Sequence, residues 1–221
     1  EVYPTLPTGL SLDTSTGEIS GTPTVLSTQT TYTIYANNTG GSSETTIDVT
    51  VIDEAPYALF YSGSPYTYTK GTAITDVTPT SLGGDVVTWS IDPALPTGLV
   101  IDSSTGTISG TPTVLSTVIT YTITAENTGG SDTITIDITV NDVIPSISYT
   151  GAPFTETKDS AMAPEAPTVG GGAIVSWSVS PALPTGLTLS PTTGVITGTP
   201  TIVSSTATYT ISAENSGGIG T

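Results

Sequence analysis

The stretch "LPTGLSLDTSTGEISGTP", from Leu6 to Pro23, decides the fold because the chain contains it three times. It returns as "LPTGLVIDSSTGTISGTP" from Leu95 and as "LPTGLTLSPTTGVITGTP" from Leu183. The three copies start 89 and 88 residues apart. A repeat of this length is too long for a solenoid turn or a propeller blade and is typical of one small β-domain. The sequence therefore predicts a string of related domains.

Within the repeated stretch, the residue types are those of short strands and tight turns. "GLSLD" and "GEISG" predict two strands joined by "DTSTG", with Leu10, Leu12 and Ile19 as apolar anchors. Asp13 can accept hydrogen bonds from the backbone that follows it, and Gly17 can adopt a positive φ. No copy contains His, Cys, Lys or Arg. We therefore expect the repeated residues to maintain a fold rather than to perform chemistry.

Three stretches of the middle copy alternate between apolar and polar residues, which indicates strands that are buried on one face. They are "DVVTWSID", "TYTITAEN" and "TITIDITV". The residues predicted to face inward are Val87, Trp89 and Ile91; Tyr121, Ile123 and Ala125; and Ile134, Ile136, Ile138 and Val140. "ENTGG" between the last two stretches predicts a hairpin turn. The pattern gives about seven short strands and no helix.

Domain boundaries follow from the register of the copies and from prolines, which do not continue a strand. We predict an incomplete domain at 1–53 that holds only the C-terminal part, a complete domain at 54–142, and a domain at 143–221 without its last strand. Two interpretations remain open. The chain is a window on a longer polypeptide, or it is a filament subunit whose incomplete sandwiches are filled by strand exchange with another chain.

Composition excludes several classes of function. The 221 residues include 19 acidic and two basic residues, for a formal charge of −17, and contain neither Cys nor His. Disulfide frameworks and nucleophiles activated by His are thereby excluded, so we predict no enzyme activity. The negative field argues against nucleic acid and anionic membranes as partners. No apolar run has the length of a membrane span, so we predict no membrane insertion in this segment.

The series "PALPTGLVIDSSTGTISGTPT…YTITAENTGGSDTITIDITV" resembles the putative-Ig repeat family of microbial surface proteins, relatives of dystroglycan-type cadherin-like domains. The resemblance covers essentially the whole chain. It implies an all-β fold of tandem Ig-like β-sandwich domains, each of about seven strands. A buried Trp89 or Trp177 on a central strand fits such a sandwich, although the disulfide of antibody domains is absent.

The resemblance also implies a setting and a function. We expect an extracellular structural protein, secreted or on a cell surface, that forms a rod, stalk or filament shaft. Its partners would be neighbouring repeats of the same protein, through self-assembly or within a longer polypeptide. The alternative is an adhesin module that binds a glycan or protein. "YALFYSGSPYTY" contains aromatic residues that could stack on a sugar or pack in the core and at junctions: Tyr57, Phe60, Tyr61, Tyr66 and Tyr68.

Calcium is the one cofactor that the sequence suggests, at the two domain junctions. Asp53 with Glu54, and Asn141 with Asp142, supply oxygen ligands of the kind that Ca²⁺ prefers. "VNDVIP" resembles part of a cadherin linker, though the flanking acidic motifs of that repeat are not evident. The alternative is a solvated acidic linker without a metal.

Two modifications complete the candidate sites. Asn37 starts "NNT", the only acceptor sequence for N-glycosylation in the chain, although such a short motif also arises by chance. Lys70 and Lys158 occupy equivalent positions and could crosslink to Asp137 on the last strand. Alternation points Asp137 outward, whereas such bonds form in apolar interiors.

Overall fold

The computed structural model describes all of residues 1–221, which form twenty β-strands and no helix. The three copies of the repeat are numbered here as units 1, 2 and 3, at 1–53, 54–142 and 143–221. Unit 1 contains five strands, which are β1 (Val2–Tyr3), β2 (Leu10–Leu12), β3 (Ile19–Gly21), β4 (Ser27–Asn38) and β5 (Gly41–Val51).

Unit 2 has eight strands, one more than the sequence predicts. They are β6 (Tyr57–Phe60), β7 (Tyr66–Thr69), β8 (Thr80–Leu82), β9 (Thr88–Asp92), β10 (Leu99–Ile101), β11 (Ile108–Gly110), β12 (Ser116–Asn127) and β13 (Gly130–Asn141). Four of them form a sheet in the order β7-β13-β12-β9. Strand pairs β6-β8 and β10-β11 contribute Leu59 and Ile108 to the same core, so they cover one face of that sheet.

Unit 3 has seven strands: β14 (Ser146–Ser148), β15 (Thr168–Gly170), β16 (Ser176–Ser180), β17 (Leu187–Leu189), β18 (Ile196–Gly198), β19 (Thr210–Asn215) and β20 (Gly218–Gly220). Residues 154–157, at the position of β7, do not form a strand. β19 is half as long as β12. In unit 2, β7 and the first half of β12 pair with the second half of β13.

The core of unit 2 lies against the long β12–β13 hairpin. Tyr121, Ile123 and Ala125 on β12 are at most 1% exposed, as are Ile136 and Ile138 on β13. Each set lies at alternate positions of one strand, so its members face the same side of the sheet. The predicted inward faces of these two strands are confirmed.

Strand β7 adds a parallel element to an otherwise antiparallel sheet. It runs beside β13 with Tyr66 opposite Ile138 and Thr69 opposite Asn141. β7 lies early in unit 2 and β13 is its last strand, so the parallel pair joins the two ends of the unit. All other strand pairs in the chain are antiparallel.

The prediction that Val87 faces the core is wrong. Its side chain is 60% exposed, and Val86 packs against the core instead. β9 begins only at Thr88, while the backbone N–H of Val87 donates to the carbonyl of Glu126. Because the chain joins the sheet irregularly here, the alternation seen from Trp89 onward does not extend back to Val87.

The predicted position of the tryptophan on a central strand is also wrong. Trp89 lies on β9, which is an outer strand of the four-stranded sheet, yet it is only 7% exposed. The ring of Tyr61 meets it edge-to-face at 6.4 Å, and the Tyr61 hydroxyl donates to the carbonyl of Gly106. A Cβ at Gly106 would lie 2.6 Å from the indole. Close packing of this glycine thus buries a tryptophan at the sheet edge.

The repeated stretch forms the predicted pair of strands and turn. In unit 1, Leu12 pairs with Ile19, and Asp13 Oδ1 accepts the N–H groups of Ser15 at 2.8 Å and Thr16 at 3.1 Å. Gly17 has a φ of 79°, as the turn requires. The pKa of Asp13 lies below its usual value because its carboxylate accepts hydrogen bonds, first from the hydroxyl and N–H of Ser15 and next from the N–H of Thr16.

We predict that replacing Ile123 by Ala destabilises unit 2 by about 2–5 kcal/mol, because it opens a cavity in a fully buried site. The matched control is Val118→Ala on the same strand, where the side chain is 63% exposed and the cost should stay within about 0.5 kcal/mol. Urea unfolding followed by Trp89 fluorescence, with Trp177 replaced by Phe, measures both. Equal costs for the two variants would contradict the assignment of the core.

Acid should loosen the turn of unit 2 but leave the equivalent turn of unit 3 unchanged. The N–H groups of Ser104 and Thr105 lower the pKa of Asp102 from 3.8, whereas unit 3 has the hydroxyl of Ser190 at this position. A lowered pKa in the folded state means that the stabilisation is present above the unfolded pKa. It is lost as the pH falls through the lower, folded pKa.

Amide chemical shifts of Thr105 and of Thr193, followed from neutral pH into acid, measure this difference. We expect a transition for Thr105 with a midpoint below 3.8 and none for Thr193. A shared transition would show that the carboxylate of Asp102 does not hold its turn.

Candidate functional site

The junction between units 1 and 2 is held by hydrogen bonds from one linker residue to a turn that lies 75 residues later. The backbone N–H of Asp53 donates to Thr128 Oγ1 at 3.0 Å. The Thr128 hydroxyl in turn donates to Asp53 Oδ2 at 3.1 Å. Thr128 lies in the two-residue turn between β12 and β13. The linker is therefore fixed to unit 2 as soon as it leaves unit 1.

Asn127 completes this attachment with both ends of its side-chain amide. Its Nδ2 donates to the carbonyl of Glu54 at 2.7 Å, while its Oδ1 accepts the N–H of Gly129 at 2.8 Å. The residue is 7% exposed, and a buried amide needs such partners. The same side chain thus closes the turn and binds the linker. We call the set Asp53, Glu54 and Asn127–Gly129 the junction clamp of unit 2.

Glycine is required in the clamp because the linker lies directly on the turn. A Cβ built at Gly129 would lie 2.1 Å from the carbonyl oxygen of Asp53 and 2.8 Å from the nitrogen of Ala55. Both contacts are with backbone, which cannot move aside as a flexible side chain could. Gly129 is therefore needed for the contact with the linker, whereas the positive φ of 148° in this motif belongs to Gly130.

Unit 3 repeats the clamp with equivalent residues. Ser216 Oγ accepts the N–H of Asp142 at 2.9 Å, and Asn215 Nδ2 donates to the carbonyl of Val143 at 2.7 Å. One residue earlier, the carbonyl of Asn141 accepts the N–H of Lys70 in unit 2 at 2.8 Å. Adjacent residues of the chain are thus bound to different units, and no free residue lies between them.

The four predicted calcium ligands take part in these junctions. The Asp53 carboxylate accepts the Thr128 hydroxyl, and Glu54 contributes its backbone carbonyl to the clamp. The two oxygens of Asp142 accept the N–H groups of Val143 at 3.0 Å and Ala173 at 3.2 Å. The structure brings together no group of three or more acidic side chains that could hold a metal ion. Calcium binding here stays a prediction.

Sequence reasoning missed Asn127, Thr128 and their counterparts in unit 3 as junction residues. It assigned "NTGG" a hairpin turn only, which is correct but incomplete. A signal was present, because "NTGG" at Asn127 and "NSGG" at Asn215 are 88 residues apart, close to the 89 residues that separate Asp53 from Asp142. Nothing in the local pattern, however, shows that the two motifs touch.

The predicted modification sites are accessible but differ in their surroundings. Asn37 is exposed near the end of β4, opposite Ser42. Asp137 accepts the hydroxyl of Thr120 at 2.6 Å on the outward face of the sheet, and Lys70 is exposed at the end of β7. Lys158 forms an exposed ion pair with Asp159. N-glycosylation and the lysine crosslink stay predictions.

The aromatic cluster of unit 2 divides between core and surface. Tyr61 and Tyr66 are buried and Tyr68 is half-buried, so the prediction of core packing is confirmed for these three. Tyr57 and Phe60 are 48% and 56% exposed. The cluster therefore does not form one continuous aromatic surface.

Comparison with known families identifies the repeat. The family described as "Putative Ig domain" matches residues 2–52, 48–141 and 142–221. The chain belongs to this family. Its all-β sandwich units are thus Ig-like domains in tandem, as the sequence predicts. No helix in the structure is long and apolar enough to cross a membrane.

Curated relatives of these Ig units include the "Serine-rich adhesin for platelets" of Staphylococcus aureus. Identity is 34% over 152 residues, which cover 66% of this chain and 6% of the relative. The same protein from strain MRSA252 is 34% identical over 152 residues, or 11% of its length. The chain therefore spans only a small part of the relatives that it matches.

Solved structures with a similar fold include segments of OTK and of titin. Extracellular domains 3–5 of Drosophila OTK match 96% of this chain and 75% of their own, with 18% identity and a TM-score of 0.47. The I-band fragment I67–I69 of titin matches 98% of this chain and 80% of its own, with 15% identity and a TM-score of 0.46.

Replacing Gly129 by Ala should release the linker from unit 2, because the new Cβ would overlap the carbonyl of Asp53. We expect the amide of Asp53 to lose protection from hydrogen exchange. Gly40→Ala is the matched control at the same position of the unit 1 turn, where the nearest atom is a side-chain oxygen at 3.2 Å. Unchanged protection in Gly129→Ala would contradict the clamp.

Proposed function

We propose that this chain is a rod-forming segment of an extracellular, non-enzymatic surface protein, in which the Ig units act as a stalk or spacer. The observation that carries the proposal is the junction between Asn141 and Asp142. Each of these residues is bound to a different unit, so the linker has no freely rotating residue. A stalk needs this property, since flexible linkers would let the units fold back on one another.

The parallel pair of β7 and β13 supports a load-bearing role. Tension along the chain would pull β13 through Asn141 and, once the clamp of the linker opens, would pull the start of β7 the opposite way through β6. Because the two strands are parallel, the force acts along the ladder from Tyr66 to Thr69, and its hydrogen bonds share the load. Hydrogen bonds that are loaded together in this way resist extension better than hydrogen bonds that open one after another.

Charge and family support the extracellular setting. A chain of charge −17 stays soluble and resists collapse onto its own neighbours. Relatives over two thirds of the chain are adhesins by name, and the family and those relatives point to a non-enzymatic protein. Platelet adhesion is named for those relatives, and this chain covers only 6% of the length of the first of them. We therefore propose a structural role for this chain and name no ligand.

Inserting Gly-Ser-Gly-Ser between Asn141 and Asp142 should convert the junction into a hinge without removing either set of hydrogen bonds. Small-angle X-ray scattering should then give a shorter mean distance between the units and a broader distance distribution. The control is the same insertion between Thr39 and Gly40, which lengthens an exposed turn in unit 1. If the junction insertion behaved like the control, the rod proposal would fail.

The same scattering measurement tests the calcium prediction. If Asp53, Glu54, Asn141 and Asp142 bind the ion, adding calcium chloride should narrow the distance distribution relative to EDTA. Asn141→Ala with Asp142→Ala should abolish that response at the second junction. Identical curves with and without calcium would leave the hydrogen-bonded clamps as the stiffening device and would contradict the metal site.

A further inference from the structure

A groove of about 500 Å³ lies beside the outer edge of β7 in unit 2. One wall is β7 itself, and the other is the segment 72–78 that follows it. The junction clamps lie elsewhere, and no contact described above uses this groove. It therefore offers a separate surface that the spacer role leaves unexplained.

The β7 wall presents unpaired backbone groups. Thr69 lies opposite Asn141, whose carbonyl accepts the N–H of Lys70, so the backbone of Thr69 points away from β13. In a parallel ladder this orientation recurs every second residue, which gives Thr67 the same outward direction. Thr69 uses its carbonyl to accept the N–H of Thr72. The N–H and C=O of Thr67 are left facing the groove.

The opposite wall is already fixed before any ligand arrives. Ile74 donates its N–H to the carbonyl of Gly110 at 2.9 Å, and Val77 donates to the carbonyl of Ile108 at 2.9 Å. Their half-buried side chains line the groove together with Tyr68. The hydroxyl of Tyr68 is shielded from solvent and has no hydrogen-bond partner. A ligand here would find an ordered apolar floor and would not have to order a loop.

We propose that this groove binds an extended peptide, which adds as a strand to the free edge of β7. Outward N–H and C=O groups on an edge strand are the donors and acceptors with which a peptide backbone pairs. Four residues of β7 provide about 13 Å of edge at about 3.3 Å per residue, enough for a short segment. Asp76 on the opposite wall favours a peptide with a basic residue.

The occupant is a different protein rather than a second copy of this chain. Two copies of charge −17 repel each other, and the chain has only two basic residues to place near Asp76. Unit 3 differs at the matching position, where Glu156 stands in place of Tyr68. This inference goes beyond the spacer role and does not depend on it.

The test uses the whole 221-residue chain and a blocked pentapeptide, acetyl-Thr-Val-Lys-Val-Thr-amide, followed by amide chemical shifts. We expect shifts confined to β7 and segment 72–78. Thr67→Pro should weaken binding by about tenfold or more, because it removes the outward N–H but none of the bonds to β13. Thr155→Pro, at the equivalent position of unit 3, should bind normally. Asp76→Asn should weaken binding by a smaller factor.

A peptide methylated on its backbone nitrogens controls for main-chain pairing without altering the protein. Loss of binding on methylation supports strand addition. Three results would overturn the proposal: no shifts at all, equal binding by the methylated peptide, or unchanged binding by a Thr67→Pro variant that keeps the amide shifts of Ile138. Binding of a glycan instead, retained in Thr67→Pro, would identify the groove as a sugar site.

Discussion

The pairing of β12 with β13 is the interaction on which the rest of unit 2 depends. This hairpin supplies the most deeply buried residues of the core, including Ile123 and Ile138. In its turn, Asn127 binds the linker that enters the unit. At its other end, β13 pairs with β7, and the carbonyl of its last residue, Asn141, accepts the N–H of Lys70. A single two-stranded element therefore carries the core and both junctions of the unit.

Unit 3 contains a shorter hairpin at the same position. There the hairpin consists of β19 and the short β20, and only the part next to the turn is paired. The clamp at Asn215 is intact, because it needs only the turn. Residues 154–157 and 204–209, at the positions of β7 and the first half of β12, are not strands. The clamp therefore depends on the turn of the hairpin and not on these strands.

The sequence predicts a feature correctly when the residues that determine it lie close together along the chain. Alternation at Tyr121 and Ile123 is local, and the turn at Asp13 binds residues two and three positions later, so both were predictable. The edge position of Trp89 depends on strand order, which periodicity does not encode. Asn127 acts on a carbonyl 73 residues earlier, so no local pattern shows the clamp. The prediction for Val87 was wrong because strand β9 begins only at Thr88.

The chemistry of the clamps explains how so acidic a chain can hold fixed junctions. Asp142 receives two backbone N–H groups and no basic side chain, and the only ion pair of the chain is the exposed one between Lys158 and Asp159. Hydrogen bonds from backbone groups are not screened by salt in the way that surface ion pairs are. Repulsion among the remaining carboxylates favours separated units, and salt weakens that repulsion. The clamps do not share this sensitivity, so the fixed linkers should persist at ionic strengths where charge repulsion no longer extends the chain.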